Sequence, residues 1–180
     1  MKSKKLLFGI FALIILAVPV FIILKSEDVI ASGHHHKLHL RGYDPFDPFR
    51  GKYLRLNYDG VENCEETLKD GDYAYVTFET DEDGFSYFAH AAMNQPDHSN
   101  YYKGKMDYNW GNCQVELNNI EKYFINEDKA SKAEEIVQDY TRNRPNAVWV
   151  EVSVLDGEMR MVDLFVEGTP LLEFLETASE

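Results

Sequence analysis

Cysteine is nearly absent from this 180-residue chain: there are two, Cys64 and Cys113. Two are too few for a disulfide scaffold or a four-cysteine zinc site. Positive charge is also scarce. Against 31 Asp and Glu stand 18 Lys and Arg, a formal net charge of −13. Such a chain would approach a polyanion against its own field, which argues against a nucleic-acid partner. What is present is an apolar content of 44% and an aromatic content of 13%. That is enough for one packed domain and excludes a disordered or fibrous chain.

The one long apolar run lies at the start. Lys2, Lys4 and Lys5 precede Leu6–Leu24, which holds no charge and departs from apolar only at Gly9 and Pro19. A helix over that run spans about 28 Å, close to the roughly 30 Å hydrocarbon core. Val29-Ile30-Ala31 would suit a signal peptidase, but the run exceeds the about 7–15 residues of a signal peptide's apolar region. The expectation is therefore an uncleaved anchor contacting the lipid bilayer through residues 6–24. The lysines place its N-terminus in the cytoplasm and the rest outside, a single-pass cell-membrane protein. Four of the 18 basic residues and none of the 31 acidic ones fall in the first 25 residues, so the outer part carries −17. An anionic bilayer would repel it.

Three segments follow: residues 1–25 as cytoplasmic end and anchor, 26–36 as a linker, and 37–180 as a β-rich domain. Period-two alternation is clearest at the C-terminal end. Val148, Val150, Val152 and Val154 share one face, Asp156-Gly157 supplies a type I′ turn, and Glu158–Val166 returns. That register sets Val154 opposite Met159 and Val152 opposite Met161, with Phe165 on the same side as the methionines and Leu164 on the other. Tyr73–Thr80 and Phe85–Met93 form a second hairpin around Asp81–Gly84. Further strands are expected at 38–43, 52–58, 101–108 and 114–118. Ala130, Ala133, Ile136, Val137 and Tyr140 recur at helical spacing, and Pro145 ends that helix. A turn of helix is expected within 119–124. The fold class is mainly β (α+β): a transmembrane helix, then a small antiparallel barrel or sandwich of about eight strands with one amphipathic helix.

Residues 44–58 read Asp-Pro-Phe-Asp-Pro-Phe-Arg-Gly-Lys-Tyr-Leu-Arg-Leu-Asn-Tyr. Gly51, Tyr53, Leu56 and Tyr58, with the lead-in Asp44, Asp47 and Arg50, resemble the bacterial GDYXXLXY family; Lys52 stands where the family has Asp. Gly71–Val76, Tyr102–Met106 and Ile120–Phe124 resemble later blocks of that family in the same order. The resemblance implies a membrane-anchored protein working beside a multi-pass membrane protein, and it carries over no catalytic residue and no cofactor. Physically, the motif reads as turn chemistry: Asp-Pro pairs enforce extended backbone, and Gly51 admits a bulge. Arg50 lies within reach of Asp44 or Asp47. The same seven residues are the motif's partner-binding candidates.

Other chemistry is thin. His34, His35, His36 and His39 are weak metal-ligand candidates, because imidazoles in a flexible linker have nothing to make them converge. Glu79-x-Asp81-x-Asp83-Gly84 starts like a calcium loop, but its twelfth position is His90. Gly84-Phe85-Ser86 lacks the closing Gly of a nucleophile elbow. Cys64 and Cys113 are either a disulfide or two separate thiols. The functional expectation is a non-enzymatic interaction module. An extracytoplasmic hydrolase or ligand-binding domain using acidic side chains is the alternative.

Overall fold

A computed structural model of the protein describes residues 2–41, 53–109 and 112–177. Helix α1 (Lys2–Ser32) leads into strand β1 (His34–His39). Then come β2 (Tyr53–Arg55), β3 (Asn63–Cys64), β4 (Tyr73–Thr80), β5 (Ser86–Ala92), β6 (Tyr101–Asn109), β7 (Asn112–Val115) and β8 (Lys122–Phe124). Helix α2 (Glu127–Asn143) and a 3-10 turn precede β9 (Val148–Leu155), β10 (Glu158–Val166), β11 (Thr169–Pro170) and α3 (Leu171–Thr177).

Nine strands form one sheet in the order β11-β10-β9-β1-β5-β4-β6-β7, with β3 also on β5; β2 and β8 form a separate two-stranded ribbon. The sheet is mixed, because β1 and β3 both run parallel to β5. This corrects the expected antiparallel barrel or sandwich. The protein is a sheet-rich α+β fold with three helices among the described residues, and the sheet does not close. Its nearest approach to closure is one corner. There the β9–β10 turn meets β6, with the Lys103 N–H donating to the Gly157 carbonyl at 2.9 Å and the Gly157 N–H to the Tyr101 carbonyl at 3.0 Å.

The membrane expectation is corrected as well. Among the described residues, no helix is long and apolar enough to cross a membrane. Lys25, Glu27 and Asp28 end the apolar stretch of α1. The single-pass topology, with its cytoplasmic N-terminus and outer domain, is therefore not supported. The expected linker over 26–36 is also absent. Residues 26–32 continue α1, whose end packs on β9: Val29 is buried, its carbonyl accepts the Ser153 hydroxyl at 2.6 Å, and Lys25 reaches Glu158 at 2.7 Å. Gly33 has to be glycine, since a Cβ there would collide with the Ser153 hydroxyl and the Val29 carbonyl.

The two expected hairpins form. Val154 faces Met159 and Val152 faces Met161, and the turn has φ of 47° at Asp156 and 87° at Gly157. One detail differs. A bulge between Met161 and Asp163 reverses the alternation, so Leu164 is fully buried and Phe165 turns to the opposite face and stacks on Trp149. The expected helical turn within 119–124 is instead a turn followed by β8.

The core lies between the inner face of the sheet and α2, α3 and the ribbon. Val148, Val150, Val152, Val154, Met106, Ile120, Leu164 and Leu171 are all less than 2% exposed. Helix α2 presents Ala133, Val137 and Thr141 to it, one residue per turn.

Cys64 in β3 and Cys113 in β7 are bonded, with Cα atoms 6.4 Å apart. The bond ties two short strands across 49 residues of chain. In the loop-closure treatment it contributes about 4 kcal/mol by restricting the unfolded chain. A Cys64→Ser/Cys113→Ser variant is expected to unfold at markedly lower urea than the oxidised protein, with an equal or steeper slope because its unfolded chain is less restricted. Coincident midpoints would show that the bond adds nothing.

Candidate functional site

The histidine tract is not a flexible linker. It is β1, hydrogen-bonded along its length to β9 and touching β5 at Leu38. A strand alternates its side chains, so His36 and Leu38 enter the core while His35, Lys37 and His39 face the other way. The four imidazoles therefore do not converge. His35 Nδ1 meets Glu151 at 2.7 Å, His39 stacks on Phe85 and His34 Nε2 lies 3.1 Å from the Ser99 hydroxyl. Among the described residues, no three His, Cys, Asp or Glu side chains are grouped to hold a metal ion.

His36 is the residue the fold singles out. It is 8% exposed and stacked on Phe78 at 4.4 Å. Its Nε2 lies 2.7 Å from Asn100 Oδ1, an acceptor, so Nε2 carries the proton. Nδ1 then accepts from the Ser86 hydroxyl at 2.9 Å, and Ser86 Oγ accepts from Thr80 at 3.2 Å. The chain Thr80–Ser86–His36–Asn100 is directed from end to end. Burial, with smaller contributions from His34 and His35, pulls the His36 pKa below its usual value; the Asn100 hydrogen bond opposes this.

A serine, a neutral histidine and an asparagine in series share the ingredients of a nucleophilic triad. Access separates them from one. Ser86 is 6% exposed. The pocket beside it, lined by Leu38, His39, Tyr58, Asp59, Asp81 and Phe88 among others, has a volume of about 50 Å³. That admits water and no substrate. The network is the means by which a sheet accommodates a buried imidazole.

Of the motif residues, Asp44, Asp47, Arg50 and Gly51 lie outside the described residues. Tyr53, Leu56 and Tyr58 are described, and the signature divides by face. Leu54 and Leu56 are buried, and the Tyr58 hydroxyl donates to the Ile120 carbonyl at 2.7 Å. Burial and the charge of Glu121 push the Tyr58 hydroxyl well above its ordinary pKa. Tyr53 and Arg55 point outward from the ribbon. Beside this strand runs an open groove of about 490 Å³, lined by Arg41, Arg55, Asn57, Asp59, Gln114 and Glu121 among others. Arg41 and Asp59 pair within it at 2.8 Å.

The acidic turn is structural too. Asp81 Oδ1 accepts the N–H groups of Asp83 and Phe85 at 3.0 and 2.8 Å. Carboxylates elsewhere are held low by donors: Glu65 by the Met93 N–H and then Thr67, Glu158 by Lys25 and then Arg160, Glu176 by Lys129. Sequence reasoning missed Thr80, Ser99 and Asn100, and met Ser86 only as a rejected nucleophile elbow. The only available signal was that alternation puts His36 on the same side as Leu38.

The His36 shift has a signed consequence. Its folded pKa is depressed, so the neutral form stabilises the fold above the unfolded value of about 6.5, and that stability is lost as pH falls through the folded pKa. The urea midpoint is expected to drop on acidification below about 6.5. In a His36→Gln variant this part of the pH dependence should vanish. An unchanged pH profile in the variant would show that His36 does not set it.

Comparison with known proteins supplies the last observation. A family model described as GDYXXLXY protein matches residues 15–164. No curated protein and no solved structure matches the chain. The match spans the later part of α1, the histidine strand, the ribbon, α2 and most of the β9–β10 hairpin, and on it the chain belongs to the GDYXXLXY protein family.

Proposed function

We propose that this domain is a non-enzymatic interaction module that works by binding another protein. The carrying observation is the state of its carboxylates. A hydrolase built on acidic side chains needs one carboxyl group held protonated, its pKa raised by burial or by a like charge. Among the described residues, every carboxylate displaced from its usual value is displaced downward by a donor. The open, mixed-charge groove along the signature strand is in keeping with a surface that meets a macromolecule.

The partner class we propose is a multi-pass membrane protein, on the ground of the family resemblance alone. The full chain, extracted in mild detergent, is expected to co-purify with such a partner, and Arg41→Glu in the groove should weaken the association. A chain that runs alone at every expression level would remove this reading.

A further inference from the structure

The ribbon carries an unusual surface. Its cross-strand pairs are Tyr53 with Phe124, Leu54 with Tyr123 and Arg55 with Lys122. Leu54 and Tyr123 are buried, so the other four side chains share the outward face. Arg55 and Lys122 are therefore like charges set directly opposite each other, an arrangement that destabilises a strand pair. Neither has a carboxylate partner among the described residues. In a chain with 31 acidic residues and 18 basic ones, partners were available in excess.

Two aromatics complete the face. Phe124 is 71% exposed, and its ring lies 5.9 Å from that of Tyr53. Lys122 Nζ sits 5.3 Å from the centre of the Tyr53 ring. Next to Phe124 an open groove of about 480 Å³ is lined by Ile125, Asn126, Glu127 and Leu172, the last 42% exposed. Exposed aromatic rings beside arginine are the residue types that dominate binding energy at protein interfaces.

We propose that the outward face of the ribbon (Tyr53, Arg55, Lys122 and Phe124) binds an acidic protein segment carrying an aromatic or aliphatic anchor. The cations receive its carboxylates, and the anchor enters the groove beside Phe124 and Leu172. Charge complementarity selects this occupant. An anionic lipid surface offers the same charge, but it would meet the whole chain, whose net −13 repels it. A compact acidic segment touches the ribbon alone. This assignment rests on the interaction-module reading and names the surface that serves it.

The probe is a short fluorescein-labelled peptide alternating glutamate with phenylalanine, titrated against the full chain in mild detergent. Anisotropy should saturate, and binding should weaken as ionic strength rises. Arg55→Glu with Lys122→Glu is expected to lower affinity about tenfold or more. Phe124→Ala should lower it several-fold, and Arg142→Glu, at the exposed end of α2, should leave it unchanged. Equal affinity in the wild type and the double variant would overturn the proposal. So would equal binding of a peptide with lysine in place of glutamate, or co-sedimentation with phosphatidylserine vesicles that the peptide does not displace. In the co-purification experiment, a double variant that retains the wild-type partner would overturn this surface while leaving the interaction-module reading intact.

Discussion

The position of β1 between β9 and β5 is the constraint on which the rest of the fold depends. Among the described residues, this strand is the only link in the sheet between the C-terminal hairpin and the β4–β5–β6 half apart from the corner at Gly157. Its inward side places an imidazole where a hydrocarbon would ordinarily sit. Leaving that imidazole without partners would cost on the order of 1–3 kcal/mol, so the neighbouring segments are arranged to satisfy both ring nitrogens. Ser86 begins β5, and Asn100 ends the loop before β6. The same loop receives the β9–β10 turn, through the Asp156 N–H donating to the Ser99 carbonyl at 2.8 Å. His36 thus joins the two halves at the place where their backbones also meet.

The elements legible in the sequence were those with strong local signals. Alternating valines and an Asp-Gly turn specified β9–β10 to the residue up to Met161. The spacing of Ala133 and Val137, ended by Pro145, specified α2. What escaped was nonlocal. A parallel pair such as β1–β5 leaves no turn signature, because its strands are joined by a long excursion rather than by a hairpin. Three consecutive histidines have no apolar alternation, and the burial of His36 depends on partners 50 and 64 positions away. The bulge at Val162 is a single extra residue with no compositional mark, yet it decides which of Leu164 and Phe165 enters the core. For the candidate site, the signature residues were legible as a motif, but their division into a structural and a presenting face required the pairing of β2 with β8.

The outer face of the sheet shows how an imperfect contact is tolerated. Trp149 Nε1 is buried without a hydrogen-bond partner among the described residues, at a cost of about 1–3 kcal/mol. Its ring lies parallel to Phe165 at 5.6 Å, with the Phe85 ring edge-on at 6.2 Å and Lys37 Nζ 5.3 Å from its centre. Aromatic pairs contribute roughly 0.5–1.5 kcal/mol each and an exposed cation–π contact about 0.5–1 kcal/mol. Together these contacts are of the size needed to offset the orphaned indole. The bulge that turns Phe165 outward makes the stack available, so a local irregularity in β10 stabilises the junction with β1.

The two faces of the ribbon are under different demands. Inward, Leu54, Leu56 and Tyr123 are fastened by burial, and the Tyr123 hydroxyl donates to Asp163 at 2.9 Å. Outward, Arg55 and Lys122 are opposed like charges and Phe124 is mostly exposed, although Lys122 and Phe124 both lie against the Tyr53 ring. A stable two-stranded ribbon would place opposite charges or hydroxyls there. Local stability and surface composition disagree at this one face while agreeing immediately behind it. Such a disagreement is where a protein's purpose, rather than its folding, has set the residues.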